Sequence, residues 1–161
     1  MYTIEKSLNK LKHNQPTFFL DPKEQLELKK KLKKDAYQIY MPYPESEKNI
    51  FYTTNKPRII LYEIISKTPL EHREILGTVF SLNITSELFG DIIINNNHYY
   101  IYVLEQIAPF IKSNLLRIKN TNIELKEVPL DTLRDYKKEY EKIEIITSSL
   151  RIDTVIARLI Q

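Results

Sequence analysis

His72 and Arg73 are the adjacent pair in this 161-residue sequence best suited to act on a charged ligand. One carries an imidazole, and the other a permanently charged fork of donors. Nothing around them completes a bond-making device. Catalysis needs a nucleophile, a base and an orienting group within reach, or a bound metal. The chain has no cysteine, and its histidines (His13, His72, His98) are scattered. A thiolate zinc site, a cysteine nucleophile and a histidine metal cluster are therefore not expected. Gly77 and Gly90 stand alone, so no phosphate-cradling glycine loop exists, and no serine-histidine-aspartate spacing is present. The expectation is a protein that is not an enzyme, with no cofactor and no metal.

The remaining candidates are binding residues. Lys112, Arg117 and Lys119 surround Asn114 and could clamp a phosphate backbone, or could equally be solvated surface cations. His72 shares a helix side with Ile75 and Val79, so a half-buried residue at a helix start is the plainer reading. Arg73 falls on a face with Gly77, where a missing side chain leaves room for close approach. Gly90-Asp91 reads as turn chemistry. His98, Tyr100 and Tyr102 alternate onto one strand face, from which two tyrosines could stack bases. The first strand of the same unit puts no aromatic residue on that side, so contact with another part of the chain suits the face better.

The elements that must position these residues follow from periodicity. Ile4, Leu8 and Leu11 mark an amphipathic helix over residues 2–14. Asp21-Pro22-Lys23-Glu24 opens a second helix with a capping box and a proline in its first turn. Residues 36–41 and 49–54 read as strands around a proline-rich turn, and Asn55-Lys56-Pro57 breaks the chain. Beyond it the pattern predicts a strand over 58–66, with Ile60, Tyr62 and Ile64 inward and Ile59, Leu61 and Glu63 outward. A helix over 69–82 follows, then strands over 91–94 and 98–104 joined by an asparagine turn. The next helix spans 106–118, starting near Ala108 because of Pro109, with Phe110 inward, and a last strand covers 122–128. The order is β-α-β-β-α-β, shared by ferredoxin-like and RNA-recognition-motif folds as well as many enzymes and sensors. Residues 130–142 read as a charged helical linker, 144–147 as a strand and 150–159 as a closing helix.

Composition agrees with a folded α+β protein: 42% of residues are hydrophobic and 28% charged. No apolar run is long enough for a membrane span or a signal peptide, so a cytoplasmic location is expected. The charge is uneven. Up to Pro57 eleven lysines face seven acidic residues, whereas the rest of the chain carries thirteen basic against fourteen acidic ones. The excess centres on Lys29, Lys30, Lys31, Lys33 and Lys34, which is either a solvated helix face or a phosphate-contacting patch.

Several blocks resemble one family in order. Phe19-Leu20-Asp21-Pro22-Lys23-Glu24-Gln25 is similar to the start motif of YlmH-type proteins, and Leu70-Glu71-His72-Arg73-Glu74-Ile75-Leu76-Gly77 to their central block. Gly90-Asp91-Ile92, Ile107-Ala108 and Asn114-Leu115 fall at fitting distances. Ser148-Ser149-Leu150-Arg151-Ile152-Asp153 resembles the opening of that family's S4-like RNA-binding domain. One turn departs from the pattern: Met41-Pro42-Tyr43-Pro44-Glu45-Ser46-Glu47-Lys48-Asn49 has lost two glycines and one positive charge.

The resemblance implies an RNA-binding protein of the translation machinery, with ribosomal RNA or tRNA and the large subunit as partners and a part in rescuing stalled ribosomes. It further implies a link to cell division and a C-terminal domain cut short. The expected organisation is a module of two helices and a hairpin over 1–56, an RRM-like unit over 57–129, and a linker with the first S4-like helix over 130–161. Expected RNA contacts are Lys30, Lys31, Lys34, Tyr43, Lys48, His72, Arg73, Lys112, Asn114, Arg117, Lys119 and Arg151. The competing expectation is a protein-interaction module docking through the near-neutral βαββαβ sheet.

Overall fold

Capping chemistry starts both N-terminal helices. In the computed structural model, which describes residues 3–138, α1 (Ile4–Lys12) begins where the Thr3 hydroxyl accepts from the Lys6 amide at 3.2 Å. In α2 (Pro22–Lys31) the Asp21 carboxylate accepts from the Glu24 amide at 2.8 Å, and the Glu24 carboxylate accepts from the Asp21 amide at 2.9 Å. The box read from Asp21 and Glu24 is thus in place. A short hairpin, β1 (Gln38–Tyr40) with β2 (Ile50–Tyr52), completes this half. Leu11, Leu20, Leu28 and Phe51 form its own small core.

The second half runs β3 (Ile59–Ser66), α3 (His72–Ser81), β4 (Phe89–Asn95), β5 (His98–Leu104), α4 (Ala108–Asn114), β6 (Arg117–Ile118) and β7 (Thr121–Val128). The antiparallel sheet has the order β4-β5-β3-β7-β6, which is the ferredoxin-like arrangement with β6 added at one edge. Asn96 and Asn97 take φ of 51° and 65° in the β4–β5 turn, a duty that glycine usually performs. Tyr62, Ile64, Ile101 and Val103 pack beneath Ile75, Val79, Ile111 and Leu115, which places both helices on one face.

The other sheet face is covered as well. Ile59, Leu61, Ile93, Tyr100, Tyr102 and Leu104 bury against Phe19, Tyr43, Ile50 and Leu133. Ile59 and Leu61 lie on the face away from α3 and α4, as expected, but that face is not open: both are buried, because the N-terminal half lies over them. Base stacking by Tyr100 and Tyr102 is likewise closed off. Tyr102 has no exposed surface, stacks on Tyr43 at 6.0 Å, and donates to the Pro42 carbonyl at 3.4 Å. His98, at the strand's end, is exposed and bonds Glu63 at 2.9 Å.

Other differences are local. The helix expected over 106–118 ends at Asn114, and residues 117–118 turn into a hairpin with β7. Phe110, expected inward, is exposed. Gly90 and Asp91 belong to a strand rather than a turn. The start of the expected linker is a 3-10 turn, Leu130–Leu133, whose Leu133 is buried on the sheet. The strand expected over 144–147, the helix over 150–159 and the contact at Arg151 lie outside the described residues.

Candidate nucleic-acid interface

Three of the expected contacts meet in one cleft. Tyr43, Lys48 and His72 line a cavity of about 470 Å³ with Asp21, Glu47, Asp91 and Lys138. It runs along the β4 edge, between the turn over residues 42–49 and the first turn of α3.

Local bonds fix that turn. Leu20 and Asn49 exchange backbone hydrogen bonds at 2.9 and 3.1 Å. The Gln25 amide donates to the Leu20 and Glu47 carbonyls at 2.8 and 2.7 Å, and the Asn49 side chain donates back to Gln25 at 3.1 Å. The hinge point across the cleft is Asp91. Its carboxylate accepts from the Tyr43 hydroxyl at 2.5 Å and from the Glu47 and Lys48 amides at 2.8 and 3.0 Å. Such charge-assisted bonds are the strong kind. Tyr43 is therefore a core residue, only 3% exposed, rather than a stacking platform. Burial, then the bond to Asp91 and its charge, pushes the Tyr43 hydroxyl far above its ordinary range.

Lys48 is committed in the same way. Its Nζ donates to the Ser86 and Phe89 carbonyls at 2.7 and 3.0 Å and lies 4.1 Å from the Phe89 ring centre. Burial lowers its pKa to about 8, against the opposing pull of Asp91. Its charge fastens the turn to β4 and is poorly placed to leave for a phosphate. His72 is exposed on the rim, where the sequence suggested half-burial.

The remaining expected contacts do not join this cleft. Arg73 pairs with Glu71 at 2.7 Å, and Lys119 with Glu74 at 3.1 Å, around the start of α3. The Glu71 amide and then Lys119 hold the Glu74 carboxyl below its usual value. The Arg73–Glu71 pair is exposed on both sides and weakly held, so Arg73 can exchange its carboxylate for a phosphate, whereas Lys119 pairs with a mostly covered Glu74. Asn114 donates to the Phe110 carbonyl at 2.8 Å, and Arg117 reaches the Asn120 carbonyl at 3.5 Å. Lys30 closes α2 beside Lys31, with Lys34 just beyond, all three exposed and without an ion pair among the described residues. Lys112 is also exposed.

Residues 58–132 match the family model described as "Putative RNA-binding domain in YlmH". The chain is similar to proteins of the YlmH family, and the family match covers its βαββαβ unit. The match begins one residue before β3 and ends inside the 3-10 turn that buries Leu133, so it spans the whole βαββαβ unit. Over 90 residues the chain is 26% identical to "Ribosome-associated protein quality control protein P2" of Bacillus subtilis, which is 56% of this chain but 35% of that relative. It thus spans about a third of the relative's length. The solved structure "Cell division protein ylmH from Streptococcus pneumoniae" shares the fold, with a TM-score of 0.65 and 21% identity, over 82% of this chain and 90% of that one.

In this chain the residue that sequence reading undervalued is Asp91. A strand carboxylate whose donors lie more than forty positions upstream leaves no local signature. Only the quoted block Gly90-Asp91-Ile92 pointed to it.

Proposed function

We propose that this chain binds RNA on the ribosome, as a binder and not a catalyst, with the large subunit as its site of action in the cytoplasm. The carrying observation is the match of residues 58–132 to an RNA-binding domain model. The name of the Bacillus relative supports the ribosomal setting and a part in protein quality control. The geometry suits the reading: Lys30, Lys31, Lys34 and Lys112 are exposed without ion pairs among the described residues, and Arg73 is held only by a weak surface pair. Inside the cleft, Asp91 and Lys48 are spent on holding the turn.

Docking of a partner through the sheet is disfavoured, because Phe19, Tyr43 and Leu133 already occupy the face it would use. Co-sedimentation with separated ribosomal subunits tests the proposal. The chain should travel with the large subunit at about 50 mM salt and be released as salt rises, since phosphate contacts weaken by counterion release. A chain left in the supernatant at low salt would overturn it.

A further inference from the structure

A second cleft, larger and of different chemistry, opens where the N-terminal segment meets the start of the RNA-binding domain. It measures about 1000 Å³, at the upper end of small-molecule sites, and suits a segment of chain better than a compact ligand. Three cations line it: Lys10 from α1, Lys56 from the connecting break, and Arg58 just before β3. Against them stands one lining carboxylate, Glu105, which touches Arg58 at 3.8 Å with both side chains largely in water.

Lys10 is the informative member. Its Nζ sits 4.2 Å from the centre of the Phe18 ring, with Lys6 at 4.6 Å from the same ring. Lys6 has Glu87 as a partner, whereas Lys10 makes no ion pair among the described residues. Partial burial and the charge of Lys6 both press its pKa downward, so a nearby anion would relieve it.

The walls are pre-built. The Asn14 side chain accepts from the Thr53 hydroxyl at 2.6 Å and the Thr54 hydroxyl at 2.8 Å, and the Asn55 side chain donates to the Asn14 carbonyl at 2.8 Å. Across the cleft the Glu105 amide donates to the Arg58 carbonyl at 3.0 Å. Two walls of backbone are thus tied in place before any ligand arrives, which lowers the ordering cost of binding. The Gln15 amide and the Asn55 side-chain carbonyl can meet base edges, a pattern of use for unstacked nucleotides and not for a closed duplex.

We propose that this groove holds a segment of single-stranded RNA, its phosphates on Lys10, Lys56 and Arg58 and its bases toward the amides of Gln15 and Asn55. The proposal rests on the RNA-binding reading and names a site for it, at the entry to the matched domain rather than on the sheet.

The test uses the full chain and a fluorescein-labelled single-stranded RNA twelve-mer of mixed sequence, followed by anisotropy at several salt concentrations. The triple variant Lys10→Gln, Lys56→Gln, Arg58→Gln should bind at least tenfold more weakly. Its log–log salt slope should be shallower by about 2, three contacts at about 0.7 each. The charge-keeping variant Lys10→Arg with Lys56→Arg should retain wild-type affinity, and circular dichroism should show all variants folded. A triple variant that binds like wild type, while Lys30→Gln, Lys31→Gln, Lys34→Gln loses affinity, overturns the groove and leaves the RNA-binding reading standing. No binding of any RNA by the wild type overturns both. A polyglutamate peptide of equal charge that displaces the RNA at equal concentration also overturns the proposal, because it marks a site for acidic protein.

Discussion

Asp91 gathers a tyrosine hydroxyl and two backbone amides into one carboxylate, which makes it the residue whose loss should be felt most. Alanine there leaves three donors without an acceptor, and the expected cost is about 2–4 kcal/mol, read as a lower urea midpoint. Lys48 gives a prediction in pH. Burial holds its pKa near 8, whereas the unfolded side chain titrates at 10.5. Between those values the unfolded chain carries more protons, so stability rises with pH across that window. Below it, both states are charged and the folded state bears the full penalty. Lys48→Met has no such term. The stability difference between wild type and variant should therefore shift toward wild type by about 1–2 kcal/mol from pH 7 to pH 9.5. A flat difference over that range would contradict the burial of this ammonium. Neither residue could be ranked from sequence, since their partners lie far away along the chain.

Among the elements, legibility tracked how local the cause was. The α2 cap lies within four consecutive residues, and the asparagine turn within three, so both could be read directly. The end of α4 could not. Leu115 and Ile118 are buried whether the chain continues as a helix or turns back as β6, and apolar spacing does not separate the two. In β3, Ile59, Ile60, Leu61 and Tyr62 run without a polar break, the signature of a strand buried on both sides. Its outward set, Ile59 and Leu61, accordingly finds cover of its own in the N-terminal half. Gly77 offers an element-scale test, because a Cβ built there meets nothing within 4 Å. Gly77→Ala should stabilise α3 by about 0.5–1 kcal/mol in thermal or chemical melts. A loss of RNA affinity without loss of stability would then show that a ligand backbone, not packing, uses the gap beside Arg73.

For the molecule as a whole, the fold class and the βαββαβ order were readable, but the way the two halves lie on each other was not. That arrangement depends on Phe19 and Tyr43 meeting Tyr102, and long-range complementarity leaves no periodic trace. A close approach lies at Gly90, where an added Cβ would lie 2.8 Å from the Phe19 ring and 3.1 Å from Tyr102 Cβ. Gly90→Ala should therefore cost about 1–3 kcal/mol through overpacking, and should speed tryptic cutting in the N-terminal segment before the rest of the chain. Cutting at an unchanged rate would mean that the seam yields easily.

The stack of Tyr43 on Tyr102 also bears on how the protein is made. Phe19, Tyr43 and Ile50 leave the synthesising machine well before Tyr102 and Leu104 exist. At about 5–20 residues per second, the early aromatic side chains wait on the order of seconds for the surface that will cover them. During that interval they are a nascent apolar patch, open to chaperones or to a neighbouring chain. Growth temperature and translation speed, more than equilibrium stability, should then govern how much of the polypeptide reaches its native state.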